Sequence, residues 1–235
     1  EASRERLKVE FGVTVGEDNK VAVSNASVVV LAVKPQIMRK VAMDLAPALN
    51  DQAVVVSIAA GISAESLQGW LGSSVAIIRA MPNPPSLVLA GATALFANQF
   101  TTEPQKDMVT NIFQAVGYCC WVDIEDQINA VIAVSGSGPA YFFRILEIMQ
   151  QVGQELGLSE DIARELASHT ALGASKMAHQ SDSSPSQLRR QVTSPGGTTE
   201  RALSTFQKEG LETIFRNAMT SALKRAEEMS KDFAE

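Results

Sequence analysis

The chain has 235 residues, of which 46% are hydrophobic and 20% charged, and its formal net charge is −6. This is the balance of a globular protein with a well-filled core, long enough for one large domain or two ordinary ones. An acidic chain with no basic face excludes nucleic acid as a partner, and no uninterrupted apolar run approaches the roughly 20 residues of a membrane span.

Residues 1–11 read as a helix, with Leu7 and Phe11 as apolar contacts at i, i+4. Val28–Val33 is a β-branched run of the kind buried on both faces of a parallel sheet, ended by Lys34-Pro35. A helix over 36–49 follows, then a second strand over Ala53–Ala60 that stops at Gly61. Ser63–Leu71 is helical and Val75–Arg79 is a third strand. Gly91–Ala97 and Gly117–Val122 are two more, with a helix over Pro104–Val116 between them. Strands alternating with helices imply a doubly wound parallel sheet over residues 1–126. Residues 127–235 contain no strand pattern. Pro139–Leu156, Glu160–His179, Pro185–Gln191, Thr198–Lys208 and Leu211–Asp232 all read as helices. Ile145, Leu146, Ile148 and Met149 cover too wide an arc for a surface helix, so a second copy of the chain is expected to cover the excess. The amino end, EASRERLKVEFG, does not read as a signal peptide, so none is expected, and the two cysteines, Cys119 and Cys120, are adjacent, with neither disulfide nor zinc spacing. A cytoplasmic setting without a structural metal is expected.

The stretch LRRQVTSPGGTTERAL, residues 188–203, concentrates the functional signals. Paired glycines allow close approach of backbone to a ligand. A helix opening at Thr198 or Thr199 presents unpaired N–H groups and the positive end of its dipole, an anion site for a carboxylate or a phosphate. The competing reading is a Gly-Gly turn with a threonine cap. The first domain lacks the G-x-G-x-x-G loop that normally opens a nucleotide-binding sheet. The expectation is a Rossmann-like α/β fold lacking its first strand–helix–strand unit, followed by an all-α dimerisation domain.

Five motifs occur in order: Ala32-Val33-Lys34-Pro35, Ser57-Ile58-Ala59-Ala60-Gly61, Arg79-Ala80-Met81-Pro82-Asn83, Ser135-Gly136-Ser137-Gly138-Pro139-Ala140-Tyr141, and Thr193-Ser194-Pro195-Gly196-Gly197-Thr198-Thr199. Together they resemble the pyrroline-5-carboxylate reductase family, and the resemblance runs the length of the chain. It implies reduction of the cyclic imine 1-pyrroline-5-carboxylate to L-proline, the last step of proline biosynthesis, by hydride from NADPH or NADH. Nicotinamide carries the hard chemistry, so no conventional acid–base pair is required.

The same resemblance assigns site residues. Asn19 and the backbone of Ala32, Val33, Lys34 and Pro35 lie along the ribose and diphosphate of the cofactor. Ala59, Ala60 and Gly61 face the nicotinamide ribose, or alternatively serve close helix–strand packing. Asn83 touches a ligand or closes a turn. Ser3 and Arg4 stand where the adenosine ribose is read, and a guanidinium there suits a 2′-phosphate, so NADPH is the expected cofactor with NADH admissible. Ser137 belongs to the loop beside the nicotinamide and the substrate ring. Ser194, Gly196, Gly197, Thr198 and Thr199 bind the substrate carboxylate, and Thr199 orients the ring nitrogen. Asp182 stands where relatives carry a glutamate, and either favours the cationic iminium or caps the next helix. The Gln191 position corresponds to an asparagine in some relatives. His169 and His179 are expected to be packing or surface residues. The partners implied are a small-molecule substrate and a second copy through the helical domain, with larger rings of dimers compatible. Two other readings remain. One is a related two-domain hydroxy-acid dehydrogenase, for which Lys176 is a proton-transfer candidate by position alone. The other is a non-catalytic dimeric module.

Overall fold

A computed structural model describes residues 2–233; Glu1 and residues 234–235, at the outer limits of the expected first helix and second domain, lie outside the described residues. The strands are β1 (Val28–Leu31), β2 (Val54–Ser57), β3 (Ala76–Met81), β4 (Gly91–Ala97) and β5 (Gly117–Trp121), and they lie in the sheet in that order. β1, β2 and β3 pair in parallel, as do β4 and β5. β4 runs antiparallel to β3, so the sheet is mostly rather than wholly parallel. The link from Met81 to Gly91 is occupied by a single 3₁₀ turn, Pro84–Val88. A parallel crossover needs a dozen or more residues, and this link is too short for one.

β2 is the centre of the core. Val54, Val55, Val56 and Ser57 are all buried, as a strand covered on both faces requires. One layer of apolar side chains, including Val55, Ile77, Met38, Leu45 and Leu67, covers one face; Val54, Val56, Ile78, Leu95, Val109 and Phe113 fill the other. α3 (Pro35–Leu45) and α4 (Ala64–Leu71) supply the first layer, and α5 (Glu103–Gln114) the second. Each has a start signal in the sequence. Pro35 opens α3, Ser63 accepts from the Ser66 N–H at α4, and a Thr102–Gln105 capping box opens α5. α1 (Ala2–Phe11) buries none of its residues; Leu7 and Phe11, expected as its apolar contacts, are 41% and 61% exposed. A short α2 (Asn19–Val23), capped by Asp18, was not legible in the periodicity.

The chain divides into two compact units, one extending to Gly136 and taking in the last helix from Ala222, the other spanning Ser137–Ser221. The boundary expected near Asp126 falls before α6 (Gln127–Val131) and a π-helical turn, Ile132–Gly136, both of which stay with the sheet. The end of the last helix also belongs there. A β-carbon placed on Gly61 would lie 3.0 Å from Met229 Cβ, and Phe233 packs against the core of the sheet unit.

The other unit consists of α7 (Gly138–Glu155), α8 (Glu160–Gln180), α9 (Pro185–Gln191), α10 (Thr198–Lys208) and the beginning of α11 (Leu211–Asp232). α7 and α8 meet through small residues: a β-carbon on Gly153 would stand 3.1 Å from Ala163 Cβ. Phe142 and Phe143 of α7 and Leu166 of α8 are more than half exposed in the single chain. Residues Gln127–Glu155 include an 18-residue window of mean hydropathy 1.2, long and apolar enough by length and composition to cross a membrane. The expectation that no run reaches that length counted uninterrupted apolar residues, whereas an average over a helix tolerates scattered polar ones.

Candidate active site

Two sets of loops carry the motifs, one in each unit. In the sheet unit they lie at the carboxyl ends of β1, β2 and β3, where open α/β sheets bind ligands. Behind β1 is a groove of about 270 Å³ that brings together Asn19, Ala32 and Val33. Lys34 is the N-cap residue of α3, in extended conformation, and no side chain closes that helix start. A cationic side chain beside an uncapped helix N-terminus is a donor set for a diphosphate, so the residues present fit a dinucleotide. Ala59 and Ala60 leave the end of β2 free of bulk. Gly61, at φ +77°, is explained by packing: it is filled on its open side by Met229 and Phe233, the alternative weighed for it above. Ser3 is exposed, and the Arg4 guanidinium is paired with Glu17. The Asn83 side chain bonds twice within the sheet unit. Its Nδ2 donates to the Ser135 carbonyl at 3.0 Å, and its Oδ1 accepts the Ala92 N–H at 2.8 Å.

Sequence reasoning did not single out the group that holds these loops together. Arg79, 4% exposed on β3, donates from Nη1 to Glu125 Oε1 at 2.9 Å. The same carboxylate oxygen accepts the Ala64 N–H at 2.7 Å, at the first residue of α4. Nη2 of Arg79 is buried without a hydrogen-bond partner. A buried charge must be paired to be tolerable, so an arginine inside a run as apolar as VAIIRA was itself the signal that an acidic partner lies elsewhere. Nothing local pointed to Glu125.

In the helical unit, α10 begins where the motif predicts, with Gly197 as its N-cap and no side-chain cap. Gly196 takes the left-handed φ of +71° that its place in the turn demands. The Gly197 N–H is already used by the Ser194 carbonyl at 3.0 Å, so of the amides expected to hold a carboxylate, those of Thr198 and Thr199 are the ones left without an intrahelical acceptor. The Gly196 N–H is held by Glu200 Oε2 at 2.7 Å. Ser194, Thr198 and Thr199 are exposed, and a cavity of about 700 Å³ beside them is lined by Arg189, Arg190, Thr193 and Glu200 among others. Ser137 is the N-cap of α7 and makes no side-chain cap bond. Asp182 is exposed and does not cap α9; Ser184 does, in a capping box with Gln187. Gln191 closes α9. His169 lies 3.7 Å from Glu165 on one exposed helix face, so a carboxylate does stand at i−4 to it, as a surface pair. Cys119 and Cys120 are both free and half-buried, and burial pushes the Cys119 thiol up to about 11.

Loops at the carboxyl edge of a mostly parallel sheet, a basic helix start suited to a diphosphate and a separate all-α unit with a carboxylate-sized helix start define a two-unit oxidoreductase of Rossmann type. The family model for NADP oxidoreductase, coenzyme F420-dependent, matches residues 1–61, and that for pyrroline-5-carboxylate reductase dimerisation matches residues 125–229. The chain is 46% identical to a pyrroline-5-carboxylate reductase of Pseudomonas aeruginosa over 232 residues, 99% of this chain and 85% of that one. A solved pyrroline-5-carboxylate reductase from Coxiella burnetii superposes with a TM-score of 0.92 at 44% identity, covering 96% of this chain and 84% of the other. One from Plasmodium falciparum, with NADP bound, gives 0.85 at 29% identity, covering 92% and 81%. The chain belongs to the pyrroline-5-carboxylate reductase family.

Proposed function

We propose that this chain reduces 1-pyrroline-5-carboxylate to L-proline with hydride from NAD(P)H, NADPH being preferred. Family membership along the whole chain carries the reading, with the family's five motifs all standing on strand ends and helix starts. When bound, the dinucleotide supplies the hydride to the imine carbon. Lys34 and the start of α3 hold its diphosphate, Asn19, Ala32 and Val33 line its path, and Ala59 and Ala60 leave room for the ribose on the nicotinamide side. Arg4 exchanges Glu17 for the 2′-phosphate, which is the basis of the NADPH preference.

The substrate carboxylate is held by the Thr198 and Thr199 amides at the positive end of α10, with the Ser194 hydroxyl beside them. Thr199 Oγ1 hydrogen-bonds the ring nitrogen. A threonine hydroxyl is a poor acid, so its part is orientation, and the imine enters as the iminium already protonated by solvent. Asp182 favours that cation through its charge. With the ring held there, the neutral amine that the reduction would leave can take its second proton from water.

The exposed apolar faces of α7 and α8 are covered by a second copy of the chain. Burying them against a like surface removes several hundred square ångströms of apolar area from water, on the order of 10 kcal/mol before the costs of association. Covering of this kind also accounts for the hydropathy of residues 127–155 without a bilayer.

The test is loss of NADPH absorbance on adding 1-pyrroline-5-carboxylate, with proline identified as product. Thr199→Val should lower kcat about 10- to 100-fold with a smaller change in KM for NADPH. No turnover by the folded full-length protein, with proline giving no protection against heat, would return the assignment to a non-catalytic module.

A further inference from the structure

We infer that Asn83 is a positioning residue that fixes the π-helical turn Ile132–Gly136, and is not a ligand contact. The inference rests on the reductase reading for its kinetic consequence and on geometry alone for the rest.

Asparagine after a strand usually closes its own turn through its side chain. Here the backbone does that: the Ser86 N–H donates to the Asn83 carbonyl at 3.1 Å. Asn83 has an extended backbone and makes no side-chain cap bond to the 3₁₀ turn it precedes. Its amide is directed instead to Ser135, 52 residues further along, while its carbonyl oxygen pins the start of β4 at Ala92. One planar group therefore ties three segments of the sheet unit, with one bond from its nitrogen and one to its oxygen.

The segment it holds is irregular. π-helical turns are rare and cluster at functional sites, because the widened turn weakens the regular ladder. This one ends at Gly136, the last residue before the helical unit begins, and the helix resumes with the Ala140 N–H donating to the Ser137 carbonyl. Asn83 is not alone in gripping it. A β-carbon on Gly136 would lie 3.1 Å from Met81 Cε, so the end of the Met81 side chain rests close against the turn. Arg79, two residues earlier, holds Glu125 on the approach to α6. Arg79, Met81 and Asn83 thus alternate along the end of β3, each engaging the stretch between Glu125 and Gly136. The carboxyl end of β3 acts as a rail for the backbone that leads directly into the Ser137-Gly138-Pro139 start of α7. Ser135 and Gly136 of the turn themselves belong to the Ser135–Tyr141 motif, so a shift of the turn displaces motif residues, and a displacement of the order of 1 Å in a reacting arrangement costs about a hundredfold in rate.

The experiment uses the full-length protein with Asn83→Ala and Asn83→Asp. Amide hydrogen exchange over Ile132–Gly136 should become at least tenfold faster in both variants, whether or not NADPH is present. The Asp variant keeps an acceptor for Ala92 but sets an oxygen against the Ser135 carbonyl, so it should not rescue. With 1-pyrroline-5-carboxylate, kcat should fall about 10- to 100-fold, KM for NADPH should stay within about twofold, and the primary isotope effect from NADPH deuterated at the transferred position should rise. Unchanged exchange overturns the clamp even if the protein proves to have another activity. A raised KM for NADPH with kcat unaltered makes Asn83 a cofactor contact and overturns it too. A lower melting temperature with unaltered kcat and isotope effect leaves a structural residue only. Should the Asn83 variants fail to fold, Met81→Ala, which withdraws the other side chain against the turn, must reproduce the faster exchange over Ile132–Gly136 and the fall in kcat.

Discussion

The two units bury their apolar residues very differently. The sheet unit closes a core around its central strand: every residue of β2 is buried, and apolar side chains from both directions interlock across it. Among the described residues of the helical unit, by contrast, the buried apolar side chains are two alanines, Ala163 and Ala167, while two phenylalanines of α7 stand in solvent. A sheet with helices on both faces closes its own core. A short stack of helices with apolar residues all round holds only half of one. If a second copy covers α7 and α8 as proposed, stability in the first is a property of the chain, and in the second a property of the concentration.

The sharpest way to break the comparison is to damage the self-contained unit at its buried charge. Glu125→Ala strands the Arg79 guanidinium and frees the start of α4, and should lower the free energy of unfolding by about 3 kcal/mol in urea melts monitored at Trp121. A loss below about 1 kcal/mol would mean that water already serves Arg79. In the helical unit, Phe143→Glu should weaken self-association about a hundredfold, an effect of the size expected for an aromatic anchor. Wild-type melting temperature should rise with protein concentration and the variant's should not. If sedimentation finds the variant as associated as the wild type, α7 is not the covered face. Next in size is Gly61→Ala, which meets both a left-handed φ and Met229, and should cost about 2 kcal/mol. The smallest effect is at Cys119. With its thiol raised from an ordinary value near 9 to about 11 by burial, the folded protein favours the protonated form. The stability this gives is present below about pH 9 and is lost as pH rises toward 11. Alkylation at pH 8 should be on the order of a hundredfold slower than for a free thiol; equal rates would mean that β5 opens readily.

The same contrast explains what the sequence made legible. Continuous runs such as VVVL and VVVS read as strands, and SPGGTT located the start of α10 to Thr198 or Thr199, the first of which opens it. The antiparallel turn of β4 was legible in principle from the short Met81–Gly91 link, but strand composition alone does not carry direction. α6 and the π-helical turn were missed because QINAVIAVSG has no clean period of its own; it is held by Asn83 and Met81 from a distant strand. Glu125 was invisible for the same reason, its two partners being 46 and 61 residues away. Of the proposed site, positions fixed by backbone geometry could be read locally. Whether a polar group is free for a ligand or already engaged, as with the Asn83 side chain, the backbone N–H of Gly197 and Ser184 in place of Asp182, depends on neighbours that only the fold supplies.

The antiparallel pairing of β3 with β4 also bears on how the chain acquires its structure. Every other pairing in the sheet waits for a helix to be laid across it, whereas these two strands are joined by one short turn and close the smallest loop in the unit. Contacts between neighbours in sequence form soonest. Refolding should therefore begin at this hairpin, with Ile78, Ala80 and Leu95 giving high φ-values and the β1 valines low ones. Arg79, Met81 and Asn83 would then be in place before the segments they grip have arrived.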